Sequence, residues 1–143
     1  MKTILFTFTF ALTTFFATAQ SETEIVSEGT SITVNIPVKG TGGNIVVGLY
    51  DQNTFMKAAP LQGLESDIVD GKATVTFENV APGIYAISLF HDKNGNKQMD
   101  FEPNGMPKEM YGVSNNVMNM GPPQWNDAKF EVGNEALSLD IVM

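Results

Sequence analysis

The stretch Gly83-Ile84-Tyr85-Ala86-Ile87-Ser88-Leu89-Phe90-His91 decides the fold. It is β-branched and aromatic, apolar on both faces, and too short for a buried helix, so it reads as a long strand. Val80-Ala81-Pro82-Gly83 supplies the turn that starts it. Its far end runs without a break into Asp92-Lys93-Asn94-Gly95-Asn96-Lys97-Gln98-Met99-Asp100, where the hydrophobic pattern stops and oxygen-bearing side chains take over. A strand that delivers the chain into such a segment implies a long loop at the rim of a β-structure.

Outward from this strand, the same logic recurs. Ile32, Val34, Ile36 and Val38 alternate with Thr33, Asn35 and Pro37, the period of two of a half-buried strand, with Pro37 marking an edge or a strand end. After Gly40-Thr41-Gly42-Gly43, residues Asn44 to Tyr50 are apolar on both faces and suit a strand in mid-sheet. The segment Asp51–Gly63 supports at most a helical turn or an irregular crossover. Ser66–Val69 and Ala73–Phe77 flank Asp70-Gly71, which provides the positive φ values of a tight hairpin, with Ala73, Val75 and Phe77 inward. Ala128, Phe130 and Val132, then Leu137, Leu139 and Ile141 about Gly133-Asn134, read as a closing hairpin. Short strands separated by turn signals predict an all-β fold: a single antiparallel β-sandwich of immunoglobulin or transthyretin-like type, six to eight strands, with one long loop after His91.

The chain starts with Lys2, an apolar and Thr/Phe-rich run from Ile4 to Phe16, and Ala17-Thr18-Ala19, the layout of a secretory signal peptide cleaved near Ala19. The expected organisation is a signal peptide at 1–19, a flexible segment at 20–30 and the sandwich domain at 31–143. The protein is expected to be exported to the periplasm or beyond, and not to span a membrane. There is no cysteine, which excludes disulfides and thiolate chemistry. All eight basic residues are lysines against 16 acids, so without Lys2 seven lysines leave a formal balance of −9. An acidic chain lacking the planar guanidinium fork is a poor partner for nucleic acid.

Asp92, Asn94, Asn96 and Asp100 stand at offsets zero, two, four and eight, the spacing by which a tight loop aims successive oxygens at one hard cation. With the Gln98 carbonyl they make a candidate Ca²⁺ shell. Two positions depart from the helix-loop-helix calcium pattern: Lys97 occupies the sixth place, where glycine takes a left-handed backbone without strain, and Pro103 the twelfth, where an acid belongs. Without an ion, the same Asp, Asn and Gly residues make an ordinary solvated turn.

The block Pro82–Asn96, followed by Met99-Asp100-Phe101, Gly105-Met106-Pro107-Lys108-Glu109, Tyr111-Gly112-Val113-Ser114-Asn115-Asn116 and Pro122–Ala128, resembles the exported bacterial family catalogued as domain of unknown function 2141. The resemblance covers most of the chain after the leader and implies an exported β-sandwich with no established activity.

The remaining candidates for a ligand surface are His91, Glu109, Tyr111, Ser114, Asn115 and Trp125. His91 is the only histidine and, with no cysteine, cannot build the usual zinc site within one chain. At a strand end it reads as structural, held by a ring hydrogen bond. Ser114 or Ser88 beside His91 would be needed for a nucleophilic triad, but there is no Gly-x-Ser-x-Gly elbow. The expected function is a non-enzymatic exported module that presents its loop to an envelope protein or glycan. The alternatives are a carbohydrate-binding module using Trp125 and Tyr111 and, behind it, an acid/base hydrolase using paired carboxylates such as Asp100 with Glu102 or Glu109.

Overall fold

The computed structural model describes residues 29–143; the expected signal peptide at 1–19 and most of the 20–30 segment lie outside them. Eight strands follow in order: β1 (Thr30–Pro37), β2 (Asn44–Tyr50), β3 (Gln62–Asp67), β4 (Lys72–Val80), β5 (Gly83–Asp92), β6 (Tyr111–Val113), β7 (Phe130–Val132) and β8 (Leu137–Asp140), with one helical turn, α1 (Trp125–Ala128), before β7. β1 pairs at Thr30 with Val80.

Two sheets stack face to face. One is three-stranded, β4-β1-β8; the other runs β3-β2-β5-β6, with β7 pairing the start of β5 on the flank that β6 pairs further along. The period-two pattern explains the core between them. Ile32, Val34 and Ile36 of β1, Ala73, Val75 and Phe77 of β4, Ile45, Val47 and Leu49 of β2, and Ile87 and Leu89 of β5 are all buried in one cluster. β2 and β5 both sit inside their sheet, as their two-faced apolar sequences require.

The expected all-β sandwich is present, with antiparallel pairing throughout except that β8 runs parallel to β1, pairing Ile32 with Leu137 and Val34 with Leu139; two expected hairpins are corrected. β7 and β8 do not form a closing hairpin, because β7 joins β5 and β8 joins β1 in the opposite sheet. Asp70-Gly71 makes the expected two-residue turn, with φ of 51° and 73° and reciprocal hydrogen bonds between Val69 and Lys72. Beyond that turn the strands part, β3 to β2 and β4 to β1, so the turn crosses between sheets. Alternation reports which face a residue occupies, and turn chemistry reports where the chain reverses; neither names the partner strand.

The outer face of the β2–β5 sheet carries a second, smaller core. After β2, the Asp51 carboxylate accepts the N–H groups of Asn53 and Thr54 and the Thr54 hydroxyl, which bends the chain back and buries Phe55. Phe55 packs with Ala86, Val113 and Ala128, edge to face on Tyr50 and against Trp125, with both ring centroids 5.9 Å away. This covers one end of the outer face; the loop after β5 rises over the other.

Candidate functional site

The loop is built from Asp92 upward. Asp92 ends β5 fully buried on the outer face, and one carboxylate oxygen accepts the N–H of Gly95 (2.9 Å) while the other accepts that of Lys97 (2.8 Å). Two charge-assisted hydrogen bonds from one carboxylate wind residues 92–97 into a tight turn. Gly95 and Lys97 take left-handed φ values of 73° and 60°. Lys97 therefore does adopt the backbone that its position demands of glycine. Its ammonium is held 2.9 Å from Glu65 of β3, and this partner, with the Asp92 charge adding to it, keeps the ammonium charged above the ordinary lysine range.

The other oxygens of the predicted shell are used within the loop. Asn94 and Asn96 accept the N–H groups of Asn96 and Gln98 through their side-chain oxygens. Their amide nitrogens converge on Asp100, from Asn94 at 2.6 Å and from Asn96 at 3.0 and 3.1 Å. Asp92, Asn94, Asn96 and Asp100 thus belong to one compact turn, with Gln98 exposed beside it. Among the described residues no three His, Asp or Glu side chains converge as a ready metal centre, so a cation here would depend on the amide oxygens and on main-chain carbonyls.

Glu109 enters the same turn from a place that sequence spacing does not suggest. Residues 100–108 fold back as a small hairpin, with Phe101 bridging Pro107 and Lys108 donating to the Asp100 carbonyl. This returns Glu109, only 7% exposed, to a position where its carboxylate faces the N–H groups of Lys93 and Asp100, each at 3.4 Å. An acid thus reaches the loop although Pro103 occupies the expected place. The sequence marked Glu109 only as the acid of Gly105-Met106-Pro107-Lys108-Glu109, and linear spacing does not assign it to this loop.

The remaining ligand-surface candidates mostly serve the fold. His91 is fully buried on the inner face; its Nε2 donates to the Gly42 carbonyl at 2.7 Å, which ties the β1–β2 connection to the end of β5, while Nδ1 has no partner among the described residues. Ser114 is buried and commits its hydroxyl to the Ile87 N–H and the Ala128 carbonyl, so no Ser-His hydrogen bond forms. Asn115 donates to the carbonyls of Asp127 and Lys129. Trp125 packs on Phe55, whereas Tyr111 borders a crevice of about 10 Å³ beside Met118 and Asp127.

A feature that the sequence reading missed lies between the two covered ends of the outer face. There the sheet forms an open trough of about 490 Å³, floored by Val46 and Gly48 of β2 with Ser88 and Phe90 of β5, and ending at Tyr50 on one side and Lys97 on the other. No helix among the described residues is long and apolar enough to cross a membrane. No curated protein and no solved structure matches the chain. The family model described as uncharacterized protein conserved in bacteria (DUF2141) matches residues 32–140, through both sheets and the whole loop, and the chain belongs to that family.

Proposed function

We propose that this chain is an exported, non-enzymatic binding module whose loop from His91 to Asn116 is a preorganised recognition surface for an envelope protein or glycan, stiffened by one Ca²⁺. The observation that carries the reading is the buried Asp92 carboxylate winding Gly95 and Lys97 into a turn in which the Asn94 and Asn96 amides converge on Asp100 and Glu109 faces the N–H groups of Lys93 and Asp100. An Asn amide presents nitrogen or oxygen after a half-turn about its last torsion. Ca²⁺ would draw the amide oxygens of Asn94 and Asn96 inward and release Asp100 to ligate directly or through water. That exchange gives up the three hydrogen bonds to Asp100 and the two that the amide oxygens accept from the Asn96 and Gln98 N–H groups, so affinity belongs in the range of extracellular modules, with a Kd of about 10⁻⁴–10⁻³ M. The commitment of His91 and Ser114 to the fold supports a binding role over hydrolysis.

The test is thermal unfolding with calcium and with EDTA. Calcium at roughly ten times a Kd of about 1 mM contributes about 1.4 kcal/mol by mass action and raises Tm by about 5 °C. Identical melting in the two conditions, with no heat on calcium titration, removes the cation from the reading.

A further inference from the structure

Lys97 is a residue whose presence stability does not explain. Its left-handed backbone is strained relative to glycine, and its ion pair with Glu65 joins side chains that are 67% and 38% exposed, where such pairs contribute little. Strain retained without a stabilising return points to a side chain kept for what it faces. Both partners of that ion pair line the trough on the outer sheet face.

The lining has a definite chemical character. Across the strands, Gly63, Gly48 and Ser88 stand in one register row whose own side chains are small or absent. The neighbouring row places Val46 beside Phe90, leaving the half-buried Phe90 ring at the floor. Tyr50 lies across Gly48, where an added Cβ would come within 2.6–2.8 Å of its ring and hydroxyl. Burial pushes the Tyr50 phenol above its ordinary range, which keeps it a neutral hydroxyl able to donate and accept. The charged groups at the rim cancel, one carboxylate against one ammonium.

A volume of this size suits a ring-sized ligand with modest extensions. A shallow floor flanked by the Phe90 and Tyr50 rings accepts a flat ring with an apolar face. Hydroxyls at Ser88 and Tyr50 suit a ligand that donates and accepts, and an adjacent carboxylate and ammonium can accept from and donate to neighbouring hydroxyls of one diol. Because the rim carries no net charge, neither an anion nor a cation is favoured. We propose that this trough binds one neutral pyranose ring of a glycan, with its C–H face on Phe90 and a vicinal diol bridged by Glu65 and Lys97. The inference rests on the reading of the chain as a binding module, but it moves the sugar site away from Trp125 and Tyr111 and does not require calcium.

The probes are the methyl pyranosides of glucose, galactose, mannose and N-acetylglucosamine, with glucuronate as the charged counterpart, each titrated into the mature protein and followed by amide chemical shifts. At least one neutral sugar is expected to bind with a Kd of about 10 mM or tighter and to shift Val46, Gly48, Ser88 and Phe90. Phe90→Leu and Lys97→Ala should each weaken it by about tenfold, whereas Met120→Ala, on the exposed 117–124 segment, should leave it unchanged. Lys97→Ala keeps the test valid if Phe90→Leu fails to fold. The proposal is overturned by no shifts across the neutral panel, by preferred binding of glucuronate, or by sugar binding that survives Lys97→Ala. Absent sugar binding beside a calcium-raised Tm defeats this inference alone; sugar binding without a calcium response defeats only the cation.

Discussion

Two segments of this protein look alike in sequence and behave differently in the fold. Asp92–Asp100 and Ser114–Asn116 are both rich in short polar side chains. In the first, the side chains of Asp92, Asn94, Asn96 and Asp100 bond to groups within six residues, so the turn is wound locally and only Glu109 and the Lys97–Glu65 pair bring in side chains from farther along the chain. In the second, Ser114 reaches Ile87, Asn115 reaches Asp127 and Lys129, and Asn116 pairs with the Asp140 carbonyl and the Val142 N–H, all twelve or more residues away. Asn115 and Asn116 adopt left-handed φ values of 66° and 56°, which asparagine tolerates and which turn their amides toward those partners. Gly112 belongs to this second set: an added Cβ would lie 2.4 Å from the Val142 carbonyl oxygen, so only glycine lets the C-terminal segment pass so close. The same residue chemistry thus holds the sandwich together in one place and shapes a replaceable surface in the other.

Substitutions can break this contrast or sharpen it. The largest effect is expected from Ser114→Ala, which leaves the buried Ile87 N–H without its acceptor and should cost about 2 kcal/mol, read as a lower urea midpoint at unchanged slope. A loss below about 0.5 kcal/mol would show that the segment is not a fastening. Asp92→Ala is expected to cost about 1 kcal/mol, the usual scale of a lost capping carboxylate, and to abolish the calcium response, while hydrogen exchange slows as before in β2 and β5 and quickens only in residues 93–100. Exchange that quickens through the whole sheet would mean the loop is part of the cooperative core. The smallest effect on stability is expected from Lys97→Gly: relief of backbone strain offsets the lost ion pair, so Tm should stay within about 2 °C or rise, although the rim of the trough is removed. A marked fall in Tm would show that the lysine is there for the fold.

Much of this was legible in the chain itself. The strand Gly83–His91, the mid-sheet position of Asn44–Tyr50, the inward set Ala73, Val75 and Phe77, and the positive-φ turn at Asp70-Gly71 follow from period, propensity and turn chemistry, all of which act over a few residues. The clustering of Asp92, Asn94, Asn96 and Asp100 was legible for the same reason, since a tight turn gathers alternate side chains however the rest of the molecule folds.

What tertiary structure alone decided involves partners far apart in sequence. The pairing of β8 with β1 in parallel, the parting of the strands on either side of Asp70-Gly71, and the division of β7 and β8 between two sheets depend on which apolar faces meet, which local pattern does not encode. The return of Glu109 to the loop, the attachment of Ser114 to Ile87 and the reach of Lys97 to Glu65 are decided the same way. The residues from 83 to 100 by themselves determined a strand that ends in an oxygen-rich turn. Only the packed sandwich decided that this turn borders a trough on the outer sheet face, because that trough exists only where β2, β3 and β5 lie in register.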